Sequence, residues 1–310
     1  PLIVDALNLG KISVGPPYFE AVFVPIMVPA IFLIGLGPIS RWKQMSLPSL
    51  AVRIRWAIAV SFISALIAPY YMGEWKPLVS FGLLMAFWIF VSILVSLKHR
   101  LDNSGEGNVF TKLAKQSRSY YGMHCAHLGV AVFIIGVTLV NGYETEKDVR
   151  MDIGSRVTIG DYAFQFNGVS DVTGPNYMSV RGEIDVFKNG EFVRKLFPEK
   201  RTYNASGMVM TEAAIDTGIF RDLYVALGEP LANDAWVVRA YHKPFVDWIW
   251  FGCLLMAIGG ITAVSDKRYR LKIKSRSPMN KEVVPEARLS GKDKPAVAVD
   301  SALVTETRKA

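Results

Sequence analysis

From Tyr120 to Asn141 the chain runs through 22 almost unbroken apolar residues, with two histidines, His124 and His127, in the first half of the run. A stretch of that length spans a bilayer core of about 30 Å as a helix. An ionisable side chain at that depth is expensive, so each histidine is a functional-site candidate. At about 100° per residue, Gly122, Ala126, Gly129 and Gly136 fall on one stripe of small residues suited to close packing with a neighbouring helix. His127 points away from that stripe, on the side of Tyr120, Met123, Ala131, Ile134 and Thr138. Ala131, one turn along, leaves room beside the imidazole for something flat. The residues alone leave two readings open for His127: a polar side chain hydrogen-bonded between helices, or a ligand to a metal or haem.

The composition agrees with a membrane protein: 51% hydrophobic residues in 310, at a mean hydropathy of +0.26. The chain starts at Pro1, with no initiator methionine or cleavable leader, so we expect a fragment or a numbering that begins inside a longer chain. The two cysteines, Cys125 and Cys253, lie inside expected spans and form no CxxC or CxxCH, so both read as small packing residues.

Five spans are expected. The first runs from about Tyr18 to Gly37, kinked by Pro25 and Pro29, and the next from about Ile54 to Met72 and Leu78 to Leu97. The histidine-bearing run is the fourth, and Phe245 to Val264 the fifth. Arg41, Lys43, Arg53 and Arg55 follow the first span; Lys98, Arg100, Lys112, Lys115 and Arg118 follow the third; SDKRYRLKIKSR follows the fifth. Alternate loops are neutral or acidic, so the positive-inside rule has one consistent solution. The formal charge of +8 is thus a topology signal, and nucleic acid is dropped as a partner.

Residues 1–17 then form an outside connector, 18–141 a membrane domain with four spans, and 142–242 an outside β-rich domain. Residues 243–265 give the fifth span and 266–310 a basic, disordered cytoplasmic tail. The fold class is an α-helical polytopic membrane protein with one small β-rich extracytoplasmic domain inserted before its last helix. In that domain, 157–159 and 162–166 read as a hairpin across Gly160-Asp161, and 183–188 and 191–194 as another across Asn189-Gly190, which fits a type I′ turn. Met208–Ile215 and Trp236–Tyr241 offer further strands, whereas Phe220–Leu227 fits a short helix or a strand equally. A docking platform is favoured over a spacer. His99 is expected to be solvated in a basic loop, and His242 to anchor at the interface beside Trp248 and Trp250. Asp247 and Glu20 receive no chemistry.

Four strings, GKISVGPPYF (10–19), SRSYYGMHCAHLGVAV (117–132), VRAYHKPFVDWIW (238–250) and SDKRYRL (265–271), resemble the carboxy-terminal half of the CcmF family. The resemblance spreads in order over residues 1–271. It implies a membrane subunit of the bacterial cytochrome c maturation haem lyase, seated in the inner membrane, with 142–242 periplasmic and the carboxy terminus cytoplasmic. Such proteins work with CcmH and CcmI, take haem from the chaperone CcmE, and promote thioether bonds to the CxxCH thiols of apocytochrome c. They also hold a haem b between two transmembrane histidines, as an electron relay that quinol reduces. The family's AHLG-like context is Ala126-His127-Leu128-Gly129 here, so His127 inherits the axial-ligand role and His124 is its neighbour. The family's tryptophan-rich outer haem surface, its two external histidines and the other axial ligand are absent and expected amino-terminal to Pro1. This chain supplies one ligand, and no residue presents itself as a general acid or base. The alternatives are an NrfE-like dedicated haem lyase subunit, a non-catalytic scaffold for CcmH and apocytochrome, and a haem transporter.

Overall fold

The structure, a computed structural model, describes residues 15, 18–40 and 47–266. The connector ending at Pro17, Arg41 and Lys43 of the first basic loop, and nearly all of the tail lie outside or almost outside these residues.

The first element among the described residues is a π-helical turn, Phe19–Phe23, running into α1 (Val24–Leu36). Pro25 sits at the start of α1 and Pro29 inside it. Neither has an N–H to return to the preceding turn, and the wider π turn lies where the Pro25 bond is missing. Then come α2 (Leu47–Tyr71), α3 (Pro77–Asp102), the short α4 (Val109–Ala114) and α5 (Arg118–Tyr143). Ten strands follow before α6 (Val246–Val264). Among the described residues four helices are long and apolar enough to cross a membrane, within α2, α3, α5 and α6. The first of the five expected spans is a shorter apolar helix, Ala21–Leu36.

The helix α3 is the hub, packing against α1, α2 and α5, while α5 is held between α3 and α6. Trp88 of α3 lies flat on Phe32 with ring centroids 5.4 Å apart, and its indole N–H donates to Phe32 O at 3.0 Å. That indole occupies the space a Cβ on Gly35 would need. The small-residue stripe on α5 meets a matching one on α6. A Cβ on Gly129 would stand 2.6 Å from Met256 N, and one on Gly252 2.6 Å from Phe133 N. Gly122 and Gly259 face each other's helices in the same way, so the two backbones are in contact along most of their length.

The strands are β1 (Thr145–Met151), β2 (Arg156–Ile159), β3 (Tyr162–Thr173), β4 (Tyr177–Lys188) and β5 (Glu191–Leu196). They continue as β6 (Glu199–Tyr203), β7 (Val209–Glu212), β8 (Ala214–Asp216), β9 (Arg221–Pro230) and β10 (Trp236–Pro244). One sheet runs β1-β10-β9-β8; the other runs β2-β3-β4-β6-β7, with β5 also on β4. Alternation builds the core: Phe164 and Phe166 of β3, Ile184 and Val186 of β4, Leu223, Val225 and Leu227 of β9, and Val238 and Ala240 of β10 meet between the sheets. Burying each of the larger side chains is worth about 1.5–3 kcal/mol. Both expected hairpins form. At the second turn Asn189 and Gly190 take φ of 51° and 89°, the signs a type I′ turn requires. The ambiguous Phe220–Leu227 run is strand, as the larger part of β9.

The sandwich is joined to the helices without slack. Only Glu144 separates α5 from β1, and only Phe245 separates β10 from α6. Because β1 pairs with β10, Thr145 opposite His242, the packed helix pair continues into a hydrogen-bonded strand pair. Lys243 bridges to Glu144 at 3.2 Å across this seam. Phe245 turns the corner at φ 59°, a left-handed conformation that costs a bulky residue energy. It is held by N–H donation to Phe220 O at 3.1 Å and by edge contacts with Phe220 and Trp248.

Candidate functional site

The helix α5 is started by Ser117, whose hydroxyl accepts from Tyr120 N–H at 3.2 Å. Ser119 N–H donates to Asp266 Oδ2 at 2.9 Å, tying the start of α5 to the end of α6. Two turns in, His124 and His127 make the same local contact. His124 Nδ1 lies 3.0 Å from Tyr120 O, and His127 Nδ1 lies 2.7 Å from Met123 O. A carbonyl only accepts, so each Nδ1 carries the hydrogen, and in the neutral ring each Nε2 keeps its lone pair. That tautomer is the one a metal-ligating imidazole uses, with its other nitrogen fixed by a backbone acceptor.

The surroundings separate the two rings. His124 is 9% exposed and lies against Tyr120, ring centroids 4.1 Å apart. Its Nε2 is buried with no hydrogen-bond partner. His127 is only half-buried. Of the two rings, His127 is the more open to a group approaching from outside the helix. No group of three His, Cys, Asp or Glu side chains gathers among the described residues, so a bare metal ion has no ready cage here. A haem brings four ligands of its own and asks the chain for one.

The room expected beside Ala131 is filled. Ala131 is 1% exposed and belongs to a cluster with Ala57, Trp88 and Ile89, as α3 closes over this face. Further along, Gly82 of α3 takes Thr138 against its own backbone. Any flat group therefore has to reach His127 from outside that seam.

The remaining candidates are placed as follows. His99 sits in the last turn of α3 with Asn103 against its ring, where a solvated loop was expected. His242 lies on β10, half-buried, stacked 5.8 Å from Tyr162, whose hydroxyl accepts from Arg221 Nε at 3.0 Å. Burial pushes its pKa below the ordinary histidine value and Arg221 adds to the shift, against an opposing pull from Asp161. Cys125 packs toward α6, its thiol 3.5 Å from Leu255 O, and Cys253 is exposed. Asp247 lies in the first turn of α6, where a negative charge suits the helix dipole. Sequence reasoning missed the aromatic corner of Phe220, Phe245 and Trp248, and the polar cleft at the other end of α5. Both are assembled from segments far apart in the chain, although the spacing of Phe245 and Trp248 on one helix turn was a usable hint.

A β-sandwich set between the last two helices of an apolar bundle, with imidazoles inside one helix, defines a class: a polytopic membrane protein with an inserted extramembrane sandwich. The family model described as the CcmF C-terminal beta-sandwich matches residues 142–244. The cytochrome c-type biogenesis protein CcmF of Pseudomonas aeruginosa is 43% identical over 276 residues, 89% of this chain and 42% of its own length. That of Escherichia coli is 42% identical over 93% of this chain and 42% of its own length. The cytochrome c-type biogenesis protein NrfE of Haemophilus influenzae is 32% identical over 85% of this chain and 40% of its own length. A solved structure named Cytochrome c Heme Lyase CcmF shares the fold, with a TM-score of 0.64 at 18% identity over 81% of this chain and 41% of that one. The chain belongs to the CcmF family and matches its carboxy-terminal part. It spans about two fifths of the length of the curated relatives it matches.

Proposed function

We propose that this chain is part of a cytochrome c haem lyase subunit, which takes haem from CcmE and promotes its attachment to apocytochrome CxxCH thiols beside CcmH and CcmI. The observation that carries the reading is His127: an imidazole at membrane depth, its Nδ1–H fixed on Met123 O and its Nε2 lone pair left over. In this reading His127 would hold a haem b through Nε2, together with a second ligand from outside the chain. Such a haem, when bound, supplies one-electron chemistry that keeps iron and thiols reduced for thioether formation, with quinol as the electron source.

The chain's own residues orient and support. The Met123 carbonyl sets the plane and tautomer of the His127 ring. The glycine contacts of α5 with α6 hold the helix axis. The β1–β10 pairing carries that fixed axis into the sandwich, which we read as a periplasmic docking platform for the partners. The basic residues between α3 and α5 support this orientation, with the carboxy terminus in the cytoplasm of a bacterial inner membrane. The NrfE-like reading ranks behind, since identity falls from 43% to 32%.

The test restores the upstream half and co-expresses the protein with an apocytochrome c reporter, reading covalent haem by in-gel staining. A His127→Ala substitution is expected to cut covalent haem at least tenfold, while His127→Ala protein still accumulates in the membrane. Undiminished haem attachment in that variant would favour the scaffold reading.

A further inference from the structure

At the end of the bundle away from the sandwich, the turn after α1 (residues 37–40), the last two turns of α3 and the start of α5 line an open cleft of about 610 Å³. Its wall includes Arg100 and Lys115 and, among the described residues, holds no aspartate or glutamate. Arg100 is held in place: its Nε donates to Gln116 Oε1 at 2.7 Å, and its guanidinium lies 4.7 Å from the Tyr120 ring centre. The remaining guanidinium donors have no carboxylate partner among the described residues, and neither does the Lys115 ammonium. Asn103, Ser104 and Ser40 lie on the same wall, each side chain donating to a backbone carbonyl of its own segment. A fixed Arg fork and a second cation, with no competing acid among the described residues, form a receptor for an oxyanion.

Depth identifies the anion. The helix α3 has 26 residues, about 39 Å at 1.5 Å per residue, against a hydrocarbon core of about 30 Å. Its last turns, where Arg100 stands, therefore reach the headgroup layer. We propose that this cleft binds the phosphate of an acidic phospholipid headgroup. The headgroup caps the polar opening whose wall includes Tyr120, the ring that lies against His124. Basic pockets between membrane helices recognise anionic lipid in this manner.

The test is native mass spectrometry of the complete protein, delipidated and titrated with phosphatidylglycerol, with phosphatidylcholine, or with soluble glycerol 3-phosphate. The wild type is expected to retain one more phosphatidylglycerol than phosphatidylcholine, and glycerol 3-phosphate is expected not to displace it. Arg100→Gln is expected to weaken that last adduct about tenfold, as for loss of a charge-assisted hydrogen bond. Since Arg100 also steadies Gln116, Lys115→Gln provides a second variant, and a weaker adduct is expected there too. Equal retention of both lipids, an adduct unchanged in both variants, or binding of glycerol 3-phosphate in place of lipid would each overturn the proposal.

Discussion

His242 packs its ring on Tyr162 at the membrane-proximal end of β10, and burial is the larger of the two causes that hold its pKa down. Arg221 is the second. A histidine that folds neutral contributes stability in full above its unfolded pKa of about 6.5. That contribution is lost as pH falls toward the lower folded value, because the unfolded chain takes up a proton the fold resists. Thermal unfolding of the purified protein is therefore expected to show a falling melting temperature from pH 7.5 to 5, with a shallower fall in His242→Gln. Identical slopes would remove His242 from the account. The residue scale also shows where sequence reading stops. The backbone acceptors of His124 and His127 follow from helix geometry alone, whereas the burial of one ring and not the other depends on Tyr120 and on neighbouring helices.

Among the elements, the α5–α6 pair depends on backbone contact through glycine. Gly129→Val would place its side chain against Met256 N and Gly252 O, main-chain atoms that cannot step aside. Overpacking of this kind costs about 1–3 kcal/mol, and a lower melting temperature is expected. Gly260→Ala, which meets nothing within 4 Å, serves as the control and should leave the melting temperature unchanged or slightly raised, since alanine is the better helix former. If both variants melt alike, the stripe is not the seam. This stripe was legible because its spacing is a property of one helix, and the Asn189-Gly190 hairpin because its turn chemistry is local. The strands β1 and β6 were not legible: Thr-Glu-Lys-Asp-Val-Arg-Met and Glu-Lys-Arg-Thr-Tyr carry charge on both faces. In β6, Glu199 is buried only because Arg181 and Arg201 reach it at 2.7 and 2.9 Å, the first from another strand. Phe220–Leu227 was ambiguous because Leu223, Ala226 and Leu227 suit a helix while Leu223, Val225 and Leu227 suit a strand. Pairing with β10 decides between them.

At the scale of the molecule, the helix carrying the histidines and the sandwich form one continuous frame. The helix pair α5 and α6 becomes the strand pair β1 and β10 through single-residue junctions. A partner docked on the sandwich would thus sit at a fixed distance from His127. The space beside Ala131 was misjudged because it is closed by α3, some forty residues earlier in the chain, whose Trp88 and Ile89 share a buried cluster with Ala131. We have proposed that His127 offers its Nε2 to a haem iron. The direct measurement is the absorption spectrum, oxidised and dithionite-reduced, of the detergent-purified protein with its upstream half restored, for the wild type, His127→Ala and His124→Ala. The account predicts a low-spin b-type spectrum that is lost in His127→Ala and retained in His124→Ala. A b-type spectrum unchanged by His127→Ala would contradict it, leaving His127 as a packing residue of α5.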